Sequence, residues 1–180
     1  MNLLDISKAL VLIIDVQEKL VNMLSDEKVK DNAIKIAKTA GILNIPTIVT
    51  EQYPKGLGQT LSEIKESLAN VKYFEKTSFS AYNENNFKEE LGNFSRNQIV
   101  IFGIETHICV LQTAFDLLNA GYEVFVVQDS CGSRNDENKQ AALRRLIHSG
   151  AQILTTEMVI FELLKSSKNP NFKEVQAIIK

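Results

Sequence analysis

The sequence predicts an α/β three-layer sandwich, with helices over both faces of a central, mostly parallel sheet of six strands. Three observations predict it. Short apolar runs rich in β-branched residues recur along the chain, and segments with helical apolar spacing separate them. Strand and helix thus alternate, the order expected of a parallel sheet covered on both sides. No repeat, low-complexity tract or Pro/Gly/Ser-rich linker divides the 180 residues, so the length fits one domain around one core.

The elements follow in order. Ala9–Asp15 (ALVLIID) is an apolar run closed by a carboxylate and reads as a buried strand. Glu27–Leu43 sets Val29, Ala33, Ile36, Ala37 and Ala40 on one helical face. Pro46–Thr50 is the second strand, Glu51–Thr60 a loop, Leu61–Leu68 a short helix and Val71–Phe74 the third strand. A weak helix over Asn86–Leu91 precedes the fourth strand, Gln98–Phe102. Ile108–Ala120 is the clearest helix and stops at Gly121. Glu123–Val127 is the fifth strand, Asn135–His148 a helix ended by Gly150, Gln152–Leu154 the sixth strand and Thr156–Leu164 helical. Apolar Phe172, Val175, Ile178 and Ile179 then mark a short amphipathic tail helix that could dock on this subunit or on a neighbour.

Charge and cysteine content exclude several classes of function. With 22 acidic and 20 basic residues the net charge is -2, which offers no cationic surface for a phosphate backbone; nucleic acid is not an expected partner. Two cysteines make no disulfide framework. The first residues lack a basic region before an apolar block, Ala9–Ile14 is too short for a signal-peptide core, and no stretch reaches the length of a membrane span. The expected compartment is the cytosol, where free thiols persist, and the Asn93-Phe94-Ser95 sequon reads as chance.

In a parallel sheet, ligands bind beyond the carboxyl ends of the strands. No G-x-G-x-x-G or P-loop sits there: Gly56-Leu57-Gly58 lacks a third glycine, and no nucleotide cofactor is expected. His107 and His148 belong to no metal-binding cluster. His148 reads as a helix C-terminal residue favoured by the dipole. His107 is either a pocket wall or a partly exposed residue at a helix start. Cys109 falls on the first turn of the helix after the fourth strand, where unpaired N–H groups and the dipole favour a thiolate. Its plainer reading is a small buried core residue. Asp15 ends an apolar strand, which is costly for a carboxylate unless it is paired or at the exposed end. Lys76 follows the third strand; most lysines are simply solvated. An acid to move protons, a cation and a thiol, all at strand carboxyl ends, form a coherent acyl-transfer set. Cys131 reads as packing. Arg134 reads as a salt-bridge partner of Asp129 or Asp136, or as a contact for a substrate anion.

Five segments carry a resemblance: VLIIDVQEKL around Asp15, TEQYPKGLGQT at Thr50–Thr60, EKTSFSAY around Lys76, GIETHICVLQTAFDLL around Cys109 and DSCGSR at Asp129–Arg134. In this order they resemble the isochorismatase-like cysteine hydrolases, over nearly the whole chain from Ala9 to Leu163, and most closely that family's short members of unassigned substrate. The resemblance implies a Rossmann-like hydrolase domain over residues 1–165, with 166–180 as a tail helix at a possible oligomer interface. It also implies a catalytic triad of Asp15, Lys76 and Cys109. Cys109 would attack a carbonyl carbon, Asp15 would shuttle the proton, and Lys76 would hold Asp15 ionised and lower the thiol pKa. A cis peptide at Ile104–Glu105 would aim the Glu105 N–H beside that of Cys109 as an oxyanion hole. Pocket walls are expected from Gln17, Tyr53, Phe79 and His107. Zinc-dependent nicotinamidases of the superfamily carry histidines after the second strand; EQYPKGLGQT has none, so no metal is expected. The implied activity is hydrolysis of a small amide through a thioester, by a homo-oligomer. The competing readings are a non-catalytic binding protein and a redox sensor acting through Cys109.

Overall fold

The computed structural model describes residues 2–179. Six strands form one sheet: β1 Ala9–Ile14, β2 Thr47–Gln52, β3 Val71–Lys76, β4 Gln98–Gly103, β5 Glu123–Val127 and β6 Gln152–Leu154. Their order is β3-β2-β1-β4-β5-β6, and every neighbouring pair is parallel, so the expected "mostly parallel" sheet is wholly parallel. Helical crossovers return the chain to the same end of the sheet before each new strand, which is why no antiparallel pair arises. All residues of β1 and β4 are buried, as their unbroken apolar sequences require. The edge strand β3 exposes Lys72, Tyr73 and Glu75, charges and a polar ring that discourage edge-to-edge pairing.

The helices are α1 Glu18–Val21, α2 Lys28–Ile42, α3 Pro54–Leu57, α4 Ser62–Ser67, α5 Asn85–Asn93, α6 Leu111–Asn119, α7 Asp136–His148, α8 Thr156–Leu164 and α9 Phe172–Ile179. The five residues predicted for the apolar face of α2 are all buried. Gly121 and Gly150 stop α6 and α7 in left-handed conformations, at φ 90° and 95°. Asn135 caps α7 by accepting the Asn138 N–H.

α2 packs on α4, α8 and α9, while α6 packs on α7. The tail helix therefore docks on its own chain and buries Val175 there; Lys180 of the predicted tail lies outside the described residues. Two boundaries moved for one reason. Polar residues after Thr50 and Phe74 suggested that β2 and β3 ended there, but both strands run on to Gln52 and Lys76, which are paired in register. The predicted loop also holds α3, which opens on Pro54 as a first helical residue.

Strand order reverses between β1 and β4, the place where an open parallel sheet leaves a crevice. The last registered pair of that seam is Ile14 with Gly103. Gly103 has φ 139°, and a Cβ there would lie 1.9 Å from the Ile14 carbonyl oxygen, so only glycine allows the strands this close before they part.

Candidate active site

β1 ends at Ile14, and Asp15 turns out of it at φ 51°, a left-handed conformation that aspartate tolerates better than most residues. Its Oδ1 accepts a 2.6 Å hydrogen bond from Thr50 Oγ1. Its Oδ2 lies 2.7 Å from Lys76 Nζ, and both side chains are wholly shielded from solvent. Lys76 reaches this point from the end of the edge strand and donates to Gln52 Oε1 at 2.7 Å and to the Ser78 and Phe79 carbonyls at 3.2 Å. A buried ion pair survives only with further hydrogen bonds of this kind. The Lys76 ammonium is therefore the counter-charge of Asp15 Oδ2.

Cys109 comes to the pair from the other side of the seam. The helix that carries it starts at Thr106, two residues earlier than expected, and its opening turn Thr106–Val110 is π-wound before α6 continues. The thiol is buried and feels both partners. Burial pushes it up to about 12, the Asp15 charge adds to the rise, and Lys76 pulls the other way without prevailing. The direction is opposite to the expected lowering, because desolvation of the thiol outweighs the nearby lysine.

The approach to Cys109 is tied down from β5. Ile104 and Glu105 follow Gly103, both are buried, and the peptide between them is cis. Glu105 receives the Arg134 backbone N–H at 2.9 Å, and Arg134 Nε reaches its two oxygens at 3.1 and 3.0 Å. Arg134 therefore pairs with Glu105 rather than with Asp129 or Asp136. Asp129 is used elsewhere, accepting from the N–H and hydroxyl of Thr156 at the start of α8. The Thr106 N–H and hydroxyl both reach the Gly132 carbonyl. Cys131 is fully buried, as expected of a packing residue.

The expected pocket walls divide. Gln17 is fully buried and its amide is spent: Nε2 donates to the Gln52 and Gly58 carbonyls, and Oε1 accepts the Gln52 N–H. It braces the loop after β2 and forms no open wall, because a primary amide buried just ahead of α1 satisfies backbone groups first. Tyr53 and Phe79 are exposed, on the loops after β2 and β3. A cavity of about 350 Å³ borders Lys76 and is walled by Tyr53, Lys55, Thr77 and Glu84. His107 is half-buried, with Nδ1 3.0 Å from Ser133 Oγ, so its ring is turned to the loop after β5. Thr50 and Gln52 escaped sequence reasoning, although both are polar endings of an otherwise apolar strand, the signal that singled out Asp15. No three His, Cys, Asp or Glu side chains are grouped as a metal site needs, among the described residues.

A parallel α/β sheet with a carboxylate, an ammonium and a thiol converging at its switch point defines a hydrolase-type fold. The Isochorismatase domain model matches residues 9–158, and the chain belongs to the isochorismatase family. Isochorismatase domain-containing protein 2 of Danio rerio is 39% identical over 172 residues, covering 95% of this chain and 86% of its own. The secreted isochorismatase effector Isc1 of Phytophthora sojae is 41% identical, covering 81% of this chain and 71% of its own. Among solved structures, the MAR1 ribonuclease from Caenorhabditis elegans superposes with a TM-score of 0.93 at 37% identity, covering 99% and 92% of the two chains. YcaC from Pseudomonas aeruginosa, solved with hexane-2,5-diol and covalent acrylamide, gives 0.93 at 29% identity over 98% and 90%. YcaC from Escherichia coli, described as an octameric hydrolase of unknown specificity, gives 0.89 at 26% over 97% and 95%. No helix of the described residues is long and apolar enough to cross a membrane.

Proposed function

We propose that the protein hydrolyses a C–N bond of a small amide, with Cys109 as nucleophile, Asp15 as proton carrier and Lys76 as the fixed positive charge beside both. One observation carries this reading. A buried Asp15–Lys76 pair, 2.7 Å apart and shielded from solvent, lies against the Cys109 thiol, which both of its members influence.

The chemistry starts from the protonated thiol. As Sγ attacks the amide carbon, its proton passes to Asp15 Oδ2 and the carbonyl oxygen becomes an oxyanion. The N–H groups of Glu105 and Cys109 are the proposed donors to that oxyanion. Asp15 then returns the proton to the departing nitrogen as the C–N bond breaks, leaving a thioester on Cys109. Water adds to the thioester as Asp15 takes its proton; the C–S bond then breaks, Asp15 returns the proton to the sulfur, and the carboxylic acid and the free thiol are released.

Acrylamide is bound covalently in the Pseudomonas aeruginosa neighbour; it is captured by nucleophiles at its vinyl carbon, which supports a reactive nucleophile in this fold. A ribonuclease reading would follow the description of the Caenorhabditis elegans neighbour. The net charge of -2 weighs against it, because a polyanion needs a cationic surface to bind. We propose a homo-oligomer as the working form. The octameric Escherichia coli neighbour supports it, as do Leu3, Ile147, Met158 and Phe161, exposed apolar side chains around concavities beside β6 and α8. The cytosol, where two free thiols persist, is the proposed compartment.

The test is a panel of small primary and secondary amides, with product release followed by mass spectrometry and a mass increment sought on the intact protein. Turnover by the parent and none by Cys109→Ala or Asp15→Asn supports the mechanism. Full turnover by Cys109→Ala sinks it. Tight binding of amides without turnover by the parent would favour the non-catalytic binding protein.

A further inference from the structure

Lys76 starts far from its partners in the sheet. β3 is the edge strand, two strand spacings or about 10 Å from β1, and of its residues only Lys76 is buried. The flexible stem of the lysine closes that gap. Its ammonium ends 2.7 Å from Asp15 Oδ2, and both groups hydrogen-bond the Cys109 thiol. Holding so mobile a side chain in one place costs entropy that surrounding contacts must offset. Two of those contacts, the Ser78 and Phe79 carbonyls at 3.2 Å, belong to the loop that follows β3.

That loop is itself fastened at both ends. Glu84 Oε1 accepts the N–H groups of Thr77 and Ser78 at 3.3 and 3.1 Å. Just past Phe79 the loop is tied to a different element. The Ser80 hydroxyl donates to Asp116 Oδ2 at 2.5 Å, and the Ala81 N–H donates to Thr113 Oγ1 at 3.0 Å. Ser80, Ala81 and Thr113 are all buried, so these ties are shielded from competing water. Thr113 and Asp116 lie on α6, which continues the π-wound turn carrying Cys109. Their spacing from Cys109 sets the three along one side of the helix. The loop thus grips the Lys76 ammonium with its first residues and the nucleophile's helix with its next ones.

We infer that Ser80 and Asp116, with Thr113, form a latch that sets the position of the Lys76 ammonium against Cys109. They are positioning residues, acting through Lys76. This rests on the reading of Cys109 as nucleophile and Lys76 as its fixed positive charge. Without the latch, the loop after β3 stays attached to the sheet edge but not to α6, and the ammonium follows it away from the thiol.

The experiment is alkylation of the full-length protein by iodoacetamide at fixed pH, with Cys109 and Cys131 followed separately by peptide mass spectrometry. Asp116→Ala and Ser80→Ala should each slow the labelling of Cys109 by about tenfold, because a thiol with a more distant cation is less often a thiolate. The double variant should be no slower than either single one, since both remove the same hydrogen bond. Asp116→Asn keeps an acceptor for the Ser80 hydroxyl and should restore the rate. Cys131, which is fully buried, should stay unlabelled throughout. A merely structural role gives the opposite sign: loosening of the fold exposes both thiols and speeds both. Faster labelling of Cys109 together with Cys131 therefore overturns the inference, as do unchanged Cys109 rates or an Asp116→Asn protein as slow as Asp116→Ala. If Asp116→Ala does not fold, Ser80→Ala, which removes a single oxygen, decides. With an amide that the parent hydrolyses, the same variants should lower kcat by about tenfold at little change in KM. Full turnover by Cys109→Ala would instead remove the reading on which the inference rests, while the alkylation rates, which need no substrate, would still report whether the latch places Lys76.

Discussion

Replacing Gly103 by alanine probes the seam on which the site is built. The added Cβ would sit 1.9 Å from the Ile14 carbonyl oxygen and 2.7 and 2.9 Å from the carbonyl carbon and nitrogen of the same residue. Contacts under 3.0 Å are essentially never made by a real Cβ, so β1 and β4 must separate by about 1 Å or more. Every atom in the way is backbone, so no side chain can rotate to relieve the clash. Overpacking of this kind costs about 1–3 kcal/mol, and φ 139° adds about 1–2 kcal/mol for a residue with a Cβ. A total near 3 kcal/mol is a large share of the roughly 5–15 kcal/mol that holds a domain folded. For a chain of this length it lowers Tm by about 6–12 °C. Urea unfolding followed by circular dichroism should show the midpoint shifted at unchanged slope. The same displacement moves Asp15 relative to Cys109, and 1 Å at a reacting pair costs about a hundredfold in rate. A Gly103→Ala protein within about 0.5 kcal/mol of the parent would refute the argument that close approach demands glycine here.

Three further outcomes follow from the same structure. Lys76→Met leaves the Asp15 carboxylate buried without a counter-ion and should cost about 3–5 kcal/mol in urea unfolding, whereas Asp15→Leu combined with Lys76→Met should recover most of that loss and remain inactive; no recovery would mean that the pair is not the source of the cost. Burial pushes the Cys131 thiol from 9.0 up to about 12. A raised value in the fold means that the contribution is intact below pH 9 and is lost as the pH climbs from 9 towards 12, because the unfolded chain ionises first; by pH 10 the loss is on the order of 1 kcal/mol, and Cys131→Ala should fall by about that much less between pH 8 and pH 10. Asn135→Ala removes the cap of α7 and should cost about 1 kcal/mol, read as a lower urea midpoint; an unchanged midpoint would show that the 3.2 Å contact contributes nothing.

Much of the architecture was legible because apolar periodicity reports burial directly. β1 and β4 are central strands, and their sequences say so. The five apolar residues of α2 were readable for the same reason, as were the glycines that end α6 and α7. Asp15, Lys76 and Cys109 stood out as polar or nucleophilic groups at strand ends, and the family resemblance tied the three together. Lys76 illustrates the limit. Its strand reads as ending at Phe74, because edge strands are half-polar and lose the apolar signal. Arg134 was assigned the wrong acid, since its true partner is 29 residues away in sequence and is brought near only by the β4–β5 crossing. The burial of the Cys109 thiol was not legible, because a helix start is visible in sequence whereas desolvation depends on everything packed around it. Gln17 looked like a wall because its position was right; its hydrogen bonds could not be read.

The seam between β1 and β4 divides more than the strand order. Asp15, Thr50, Gln52 and Lys76 all precede the first residue of β4, while Cys109 and the Arg134–Glu105 tie follow it. A cut in the exposed stretch between α5 and β4 would therefore yield one fragment holding the whole charge relay and another holding the sulfur. On the proposed mechanism neither fragment alone would be active, and each would offer the other a bare, apolar sheet edge as its docking template. The two halves of the proposed site thus meet only where β1 pairs with β4.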